Sequence, residues 1–211
     1  MILNQLLQFK DILSDQILAS WKDLEESTIN NNNKMMVCFC GQQGVGQSSL
    51  CNLFLENPII PDECDDTITI PIHIEYGSVL NARHVSDSGS ASTIEVGDFA
   101  NSLHATATTD GYICIQTSLD LLQGVTLIYL PGEIGHFPRY EEKSDAIIYM
   151  IPPEGLSTRD TENIRSLSDS GKQILISVCQ RDGDKSGQKM SASTVDIITS
   201  DLVISKDIII K

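Results

Sequence analysis

The sequence predicts an α/β fold: a mostly parallel sheet with helices on both faces, preceded by an N-terminal amphipathic helix. Three observations carry that expectation. Runs such as Ala146–Ile151 and Gln173–Cys179 are almost continuously apolar and rich in β-branched residues, as strands covered on both faces must be. A segment with helical spacing, Ser157–Ser170, separates those two runs, and this alternation belongs to parallel α/β sheets. A glycine-rich turn, Gly41-Gln-Gln-Gly-Val-Gly-Gln47-Ser48-Ser49, follows the first apolar run and opens a helix. That is the local plan of a phosphate-binding loop, so the expected architecture is of the P-loop NTPase type.

Each element has its own signal. In residues 1–28, Leu3, Leu6, Phe9, Leu13, Ile17, Trp21 and Leu24 recur at three- and four-residue steps, the apolar stripe of an amphipathic helix. Residues 29–34, with the run Asn30–Asn33, read as a polar linker, and residues 35–211 as the domain proper. Met35–Cys40 is a buried strand, Gly41–Gln47 the loop, and Ser48–Leu55 a helix with Leu50, Leu53 and Phe54 inward. Ile68–Tyr76 alternates as a strand, and Pro71 within it predicts an edge or irregular pairing. Ser86–Ser92 is rich in serine and glycine and is expected to be a mobile loop. Glu95–Ala105 has Phe99 and Leu103 four apart, as in a short helix.

Further along, Tyr112–Thr117, Val125–Leu130 and Ala146–Ile151 read as strands. Ser157–Ser170 is a helix with Ser157 as N-cap, Asp160 at N3, Ile164 and Leu167 inward, and Gly171 closing it. Gln173–Cys179 is a buried strand, and Asp207–Lys211 one more.

A chain of 211 residues fits one domain with a sizeable core. No apolar run approaches the ~18 residues of a membrane-spanning helix. Asn4, Gln5, Gln8, Lys10 and Asp11 rule out a secretory signal, so the chain reads as cytoplasmic. The net charge of −15 opposes docking on nucleic-acid phosphates or anionic lipid headgroups, so neither nucleic acid nor direct membrane insertion is expected. The six cysteines lie mostly in apolar runs and read as buried, reduced thiols; Cys38 and Cys40 share one strand face and lack zinc-pair spacing. The four histidines show no metal-ligand spacing, and the acidic group Asp62, Glu63, Asp65 and Asp66 reads as a solvated loop.

Chemistry concentrates in three places. In G-x-x-x-x-G-K-[ST], backbone N–H groups cradle phosphates, the lysine reaches the β- and γ-phosphates, and the hydroxyl holds Mg²⁺. Gly41 and Gly46 have that spacing and Ser48 supplies the hydroxyl, but the neutral Gln47 stands at the lysine position. The second place is Val125–Gly132, a strand running into Leu130-Pro131-Gly132. In the D-x-x-G element of such folds the aspartate holds the Mg²⁺ water shell and the glycine N–H senses the γ-phosphate. Tyr129 takes the aspartate position, and a phenol supplies no negative charge at neutral pH. The third is Cys179-Gln180-Arg181-Asp182, where a guanine-reading [NT]-K-x-D pattern keeps only its aspartate; a lone Asp after a strand is also an ordinary turn residue.

In order and in the text between them, these motifs resemble the GTPase domain of bacterial dynamin-like proteins. Thr67–Gly77 is similar to that family's Thr-rich switch I passage, Ser92–Ala100 to the insertion after it, Tyr112–Gly132 to the strand pair leading to D-x-P-G, and Ser144–Met150 to the strand after switch II. The resemblance covers roughly residues 34–182, and residues 1–28 resemble the neck helix. It implies that Gln43 lies near the attacking water. It implies phosphate contacts for Gly41, Gly44, Gly46, Gln47, Ser48, Ser49 and Gly132, a base contact for Asp182, and Mg²⁺ contacts for Ser48 and for Thr67 or Thr69. Gly44 stands where many members have serine. The implied cofactors are GTP or GDP with Mg²⁺.

The departures Gln47, Tyr129, Cys179 and Gln180 strike catalysis, metal binding and base reading together. The expected function is therefore a dynamin-like pseudo-GTPase, impaired in hydrolysis and weak or silent in nucleotide binding. It would serve as an interaction or regulatory module for a partner such as another dynamin-like GTPase, or self-associate through its N-terminal helix. The alternative is an active, divergent GTPase in which Arg139, Lys143 or a partner's arginine supplies the missing charge. The family's stalk and lipid-binding tip have no counterpart after Asp182, so the chain is expected to be a piece of a longer protein or to have lost them.

Overall fold

The computed structural model describes residues 34–55, 58–61, 70–95, 99, 110–132, 138–152, 155–178 and 209–210. Among these, nine strands form one sheet. They are β1 (Met35–Gly41), β2 (Ile72–Tyr76), β3 (Asn81–Val85), β4 (Ala91–Ile94), β5 (Tyr112–Thr117), β6 (Val125–Tyr129), β7 (Ala146–Ile151), β8 (Gln173–Val178) and β9 (Ile209–Ile210). The described helices are α1 (Gln47–Leu55), α2 (Pro138–Lys143) and α3 (Thr158–Asp169), with a 3-10 turn at Asp120–Leu122.

The strand order is β4-β3-β5-β2-β6-β1-β7-β8-β9. From β6 to β9 every pairing is parallel. On the other side β2 runs antiparallel to β6 and parallel to β5, while β3 is antiparallel to both β5 and β4. The sheet is thus mostly parallel, with an antiparallel wing.

Alternation along the strands divides the core in two. Val37 and Phe39 of β1, Leu127 of β6 and Ile148 of β7 face Val45, Cys51 and Leu55 of the α1 side. Cys38, Cys40, Ile128, Ile147 and Tyr149 face Tyr140 of α2 and Ile164 and Leu167 of α3. Helices therefore cover both faces, and β7 is buried along its entire length, as its unbroken apolar sequence requires. Burial of Cys38 beside the Ser144 hydroxyl pushes its thiol up to about 12, so it behaves as a small apolar residue. The four described cysteines are buried and form no disulfide.

Two expectations are corrected. Pro71 does not mark an edge: β2 lies inside the sheet, between β5 and β6. The proline sits one residue before the ladder, where no N–H is needed, and its carbonyl accepts the Ile113 N–H at 2.9 Å. Ser86–Ser92 is not a loose loop but the turn and first strand residues of the β3–β4 hairpin. Ser86 N–H bonds the Ser90 carbonyl at 2.9 Å, and the Ser86, Ser88 and Ser90 hydroxyls bond one another. Serine hydroxyls close such turns locally.

The α3 expectation holds in detail. Ser157 is the N-cap of a complete capping box with Asp160. A smaller revision is that β6 ends at Tyr129. Of the expected strands Gln173–Cys179 and Asp207–Lys211, the described residues Gln173–Val178 and Ile209–Ile210 are strand, and the other residues of both lie outside the described ones. Phe99 is helical and buried. The N-terminal helix, the linker up to residue 33, Thr67, Thr69 and Asp182 lie outside the described residues, as do the Leu53 and Phe54 side chains. No described helix is long and apolar enough to cross a membrane.

Candidate phosphate-loop site

In open α/β sheets, ligand sites form beyond the carboxyl ends of strands where the chain changes direction across the sheet. That point here is β1, flanked by β6 and β7, and its carboxyl end runs into Gly41–Gly46. Gly41 is required by close approach: a Cβ there would stand 2.2 Å from the Met150 carbonyl oxygen. Val45 plugs the loop into the core, while Gln43 and Gly44 are exposed. Helix α1 opens at Gln47, one residue before the predicted Ser48, with Leu50 N–H on the Gly46 carbonyl at 2.9 Å. Loop, helix start and Gly132 turn are brought together as expected. Ser49 is exposed on the first turn of α1.

The two altered positions face this junction. Gln47 is 1% exposed, and its Nε2 is 3.5 Å from the Gly132 carbonyl. The same carbonyl accepts the Gly41 N–H at 3.3 Å. Ser48, equally buried, places its hydroxyl 3.5 Å from the Tyr129 hydroxyl. Where the resemblance calls for a cation and a carboxylate, the junction thus holds an amide and a phenol, each in contact with the opposite motif.

A residue that the sequence reading passed over holds the loop from the other side. Gln42 Nε2 donates to the Asp160 carboxylate at 2.5 Å and to the Ser157 hydroxyl at 2.8 Å. Asp160 is fully buried and also accepts from Ser157 N–H at 2.8 Å, Ser157 Oγ at 2.7 Å and Tyr149 OH at 3.0 Å. Asn163 donates to the same Tyr149 oxygen at 3.2 Å, and burial raises the Tyr149 pKa. A buried carboxylate is tolerable only when donors surround it. Ser157, the expected N-cap, supplies two of them; nothing local in the sequence marks Gln42 as a further donor.

Of the cations suggested as substitutes, Arg139 is engaged elsewhere. Arg139 pairs with Asp87 of the β3–β4 turn at 2.8 Å, donates to the Gly111 carbonyl at 3.3 Å and lies over the Tyr140 ring. Strand β3 is separated from β1 by β5, β2 and β6. Arg139, Tyr140 and Lys143 line a cavity of about 360 Å³ with His73 and Tyr112. His73 stacks on Tyr112 with ring centres 3.9 Å apart and bonds the Tyr140 hydroxyl at 2.9 Å. Burial, then the Arg139 and Lys143 charges, lower its pKa to about 4. Lys34 pairs with Glu75 at the far end of β1.

The described donors do not fit Mg²⁺ as the resemblance implies. The carboxylate position is a phenol, the serine hydroxyl contacts that phenol, and no cluster of His, Cys, Asp or Glu suited to a metal occurs among the described residues. A phosphate would find the backbone N–H cradle and helix start, but no cation at position 47.

No family model matches the chain, and no curated protein matches it in sequence. Solved structures do. Two structures of an oligomerised bacterial dynamin pair, which provides a mechanism for the long-range sensing and tethering of membranes, superpose with a TM-score of 0.57 each. They are 18% and 19% identical and cover 83% and 84% of this chain. The chain spans 30% of the length of each. At this identity the likeness is one of fold: the chain shares the α/β fold of a part of those bacterial dynamins.

Proposed function

We propose that the chain is a dynamin-like pseudo-GTPase domain, impaired in hydrolysis and weak or silent in nucleotide binding, that acts as an interaction or regulatory module. The observation that carries this is the Gln47–Gly132 and Ser48–Tyr129 pair of contacts: neutral side chains fill both sites where phosphoryl transfer needs charge. The Gln42–Asp160 bond supports it too, because it fastens the loop through protein groups. Likeness to a dynamin pair supports a partner of similar fold, or a second copy of this chain, as what the module contacts. The apolar stripe of residues 1–28 supplies the surface for that contact.

Calorimetric titration with GTP, GDP and a non-hydrolysable GTP analogue, each with Mg²⁺, tests the reading. No heat at high-micromolar protein is the expected result. Low-micromolar, guanine-specific binding would overturn the binding part. Turnover abolished by Ser48→Ala would overturn the catalytic part as well.

A further inference from the structure

Three large apolar side chains of the described residues stand out in solvent: Tyr76, Val79 and Leu80. They fall within five consecutive positions, at the end of β2 and on the turn that leads from it to β3. A fluctuating turn would explain such exposure, but this turn is fastened. Gly77 N–H bonds the Thr117 carbonyl at 2.9 Å. The Asn81 amide donates to the Val79 carbonyl at 3.3 Å and to Gln116 Oε1 at 3.1 Å. Gly77 also passes so close to β5 that a Cβ would lie 2.7 Å from the Gln116 Cβ. The backbone is thus held so that apolar groups project from it, and rigid apolar projections mark interaction surfaces.

The turn lies at the end of the sheet where the N-terminal segment joins the domain. Because β2 is antiparallel to β6, its last residues lie beside the start of β6, which pairs with the start of β1. The Lys34 ammonium sits 3.5 Å from the Glu75 carboxylate, next to Tyr76. Before Lys34 come 33 residues with seven apolar side chains at helical spacing. From Leu24, the last of them, ten residue steps reach Lys34, enough for roughly 35 Å of extended chain. Two apolar surfaces of one chain therefore lie within easy reach of each other, and a short tether gives the second a high local concentration.

We propose that the apolar stripe of residues 1–28 docks in cis on the Tyr76–Leu80 turn. The docked segment is the one the proposed module uses for its partner, so release from the turn would precede that contact. Nucleotide plays no part in the docking, so this proposal and the pseudo-GTPase reading fail separately.

Trp21 is the chain's single tryptophan and lies in the stripe, so its fluorescence reports docking directly. In the full chain its emission is expected to be blue-shifted, shielded from acrylamide and unchanged on dilution. Val79→Asp with Leu80→Asp is expected to shift the emission red and raise quenching several-fold, with the circular dichroism unchanged. Should that pair fail to fold, Val79→Ser with Leu80→Ser gives the same readout more gently. Full exposure of Trp21 in the unaltered chain would overturn the proposal. So would emission indifferent to the turn variants, or shielding lost on dilution, which would place the stripe on a second copy.

Discussion

The hydroxyl of Ser48 faces the phenol oxygen of Tyr129 across 3.5 Å, with both residues buried. The serine to which the resemblance assigns a metal ion has a neutral phenol as its neighbour, which contributes no charge. Gln47 repeats the pattern one residue earlier against Gly132. The loop and the turn after β6 are joined through protein groups.

Replacing Gln47 by lysine tests this junction. A buried, uncompensated ammonium is expected to cost on the order of 2 kcal/mol in urea unfolding without ligand. If the backbone cradle is intact, a polyphosphate supplies the counter-charge. Saturating GTP should then return about 2–3 kcal/mol to Gln47→Lys and little to the unaltered chain. Thermal-shift measurements check it; no ligand-dependent gain in the variant would mean that the cradle itself is lost.

The Gln42–Asp160 link invites a double-mutant cycle. Asp160→Ala strips the capping box, leaves Tyr149 without its acceptor and leaves Gln42 only the Ser157 hydroxyl, with an expected loss of about 3 kcal/mol. Gln42→Ala alone should cost about 1–2 kcal/mol. Their coupling is expected to exceed ~1 kcal/mol, since both belong to one network. Additive losses in urea unfolding would show that the loop is not held through Asp160.

Much of this was legible in the sequence because it rested on local signals. Buried strands such as Ala146–Ile151, the Ser157 cap and the glycine spacing each announce themselves within a few residues. Pro71 misled because a proline's place relative to a ladder depends on where pairing begins, which lies in the partner strand β5. The β3–β4 hairpin was missed because Asn81–Val85 is only partly apolar, and the wing gains its order from β5 rather than from periodicity. Helix α2 is six residues, under two turns, around one buried residue, Tyr140, too brief to show a helical period. At the site, the altered positions could be read from the motifs, whereas Gln42 could not, since its partner lies more than a hundred residues away.

Arg139 provides the test of the divergent-enzyme reading. Its ion pair with Asp87 is about half exposed on both sides, so Arg139→Ala is expected to cost less than ~1 kcal/mol. Any GTP turnover by the unaltered chain should also be the same in the variant. A large loss of turnover on this substitution would instead place Arg139 at the phosphates.

Stability should carry a pH signature from His73. Its folded pKa of about 4 lies below the ordinary 6.5, because burial and the nearby Arg139 and Lys143 charges disfavour the imidazolium. Above pH 6.5 the ring is neutral in both states and contributes no slope. Between 6.5 and about 4 only the unfolded chain takes up the proton, so stability falls as pH falls, by up to ~1.4 kcal/mol per unit and roughly 3 kcal/mol in all. Below about 4 both states are protonated and this contribution levels off. The aromatic partners Tyr112 and Tyr140 stay neutral through that range; burial raises both, Tyr140 to about 12. The window from 6.5 to 5.5 lies above most carboxylate titrations, and comparison with a His73 variant cancels the other three histidines. In His73→Gln, which can still bond the Tyr140 hydroxyl, urea midpoints over that window should decline less steeply than those of the unaltered chain. Equal slopes in the two proteins would mean that His73 is protonated in the folded state, with the Tyr112 stack open to solvent.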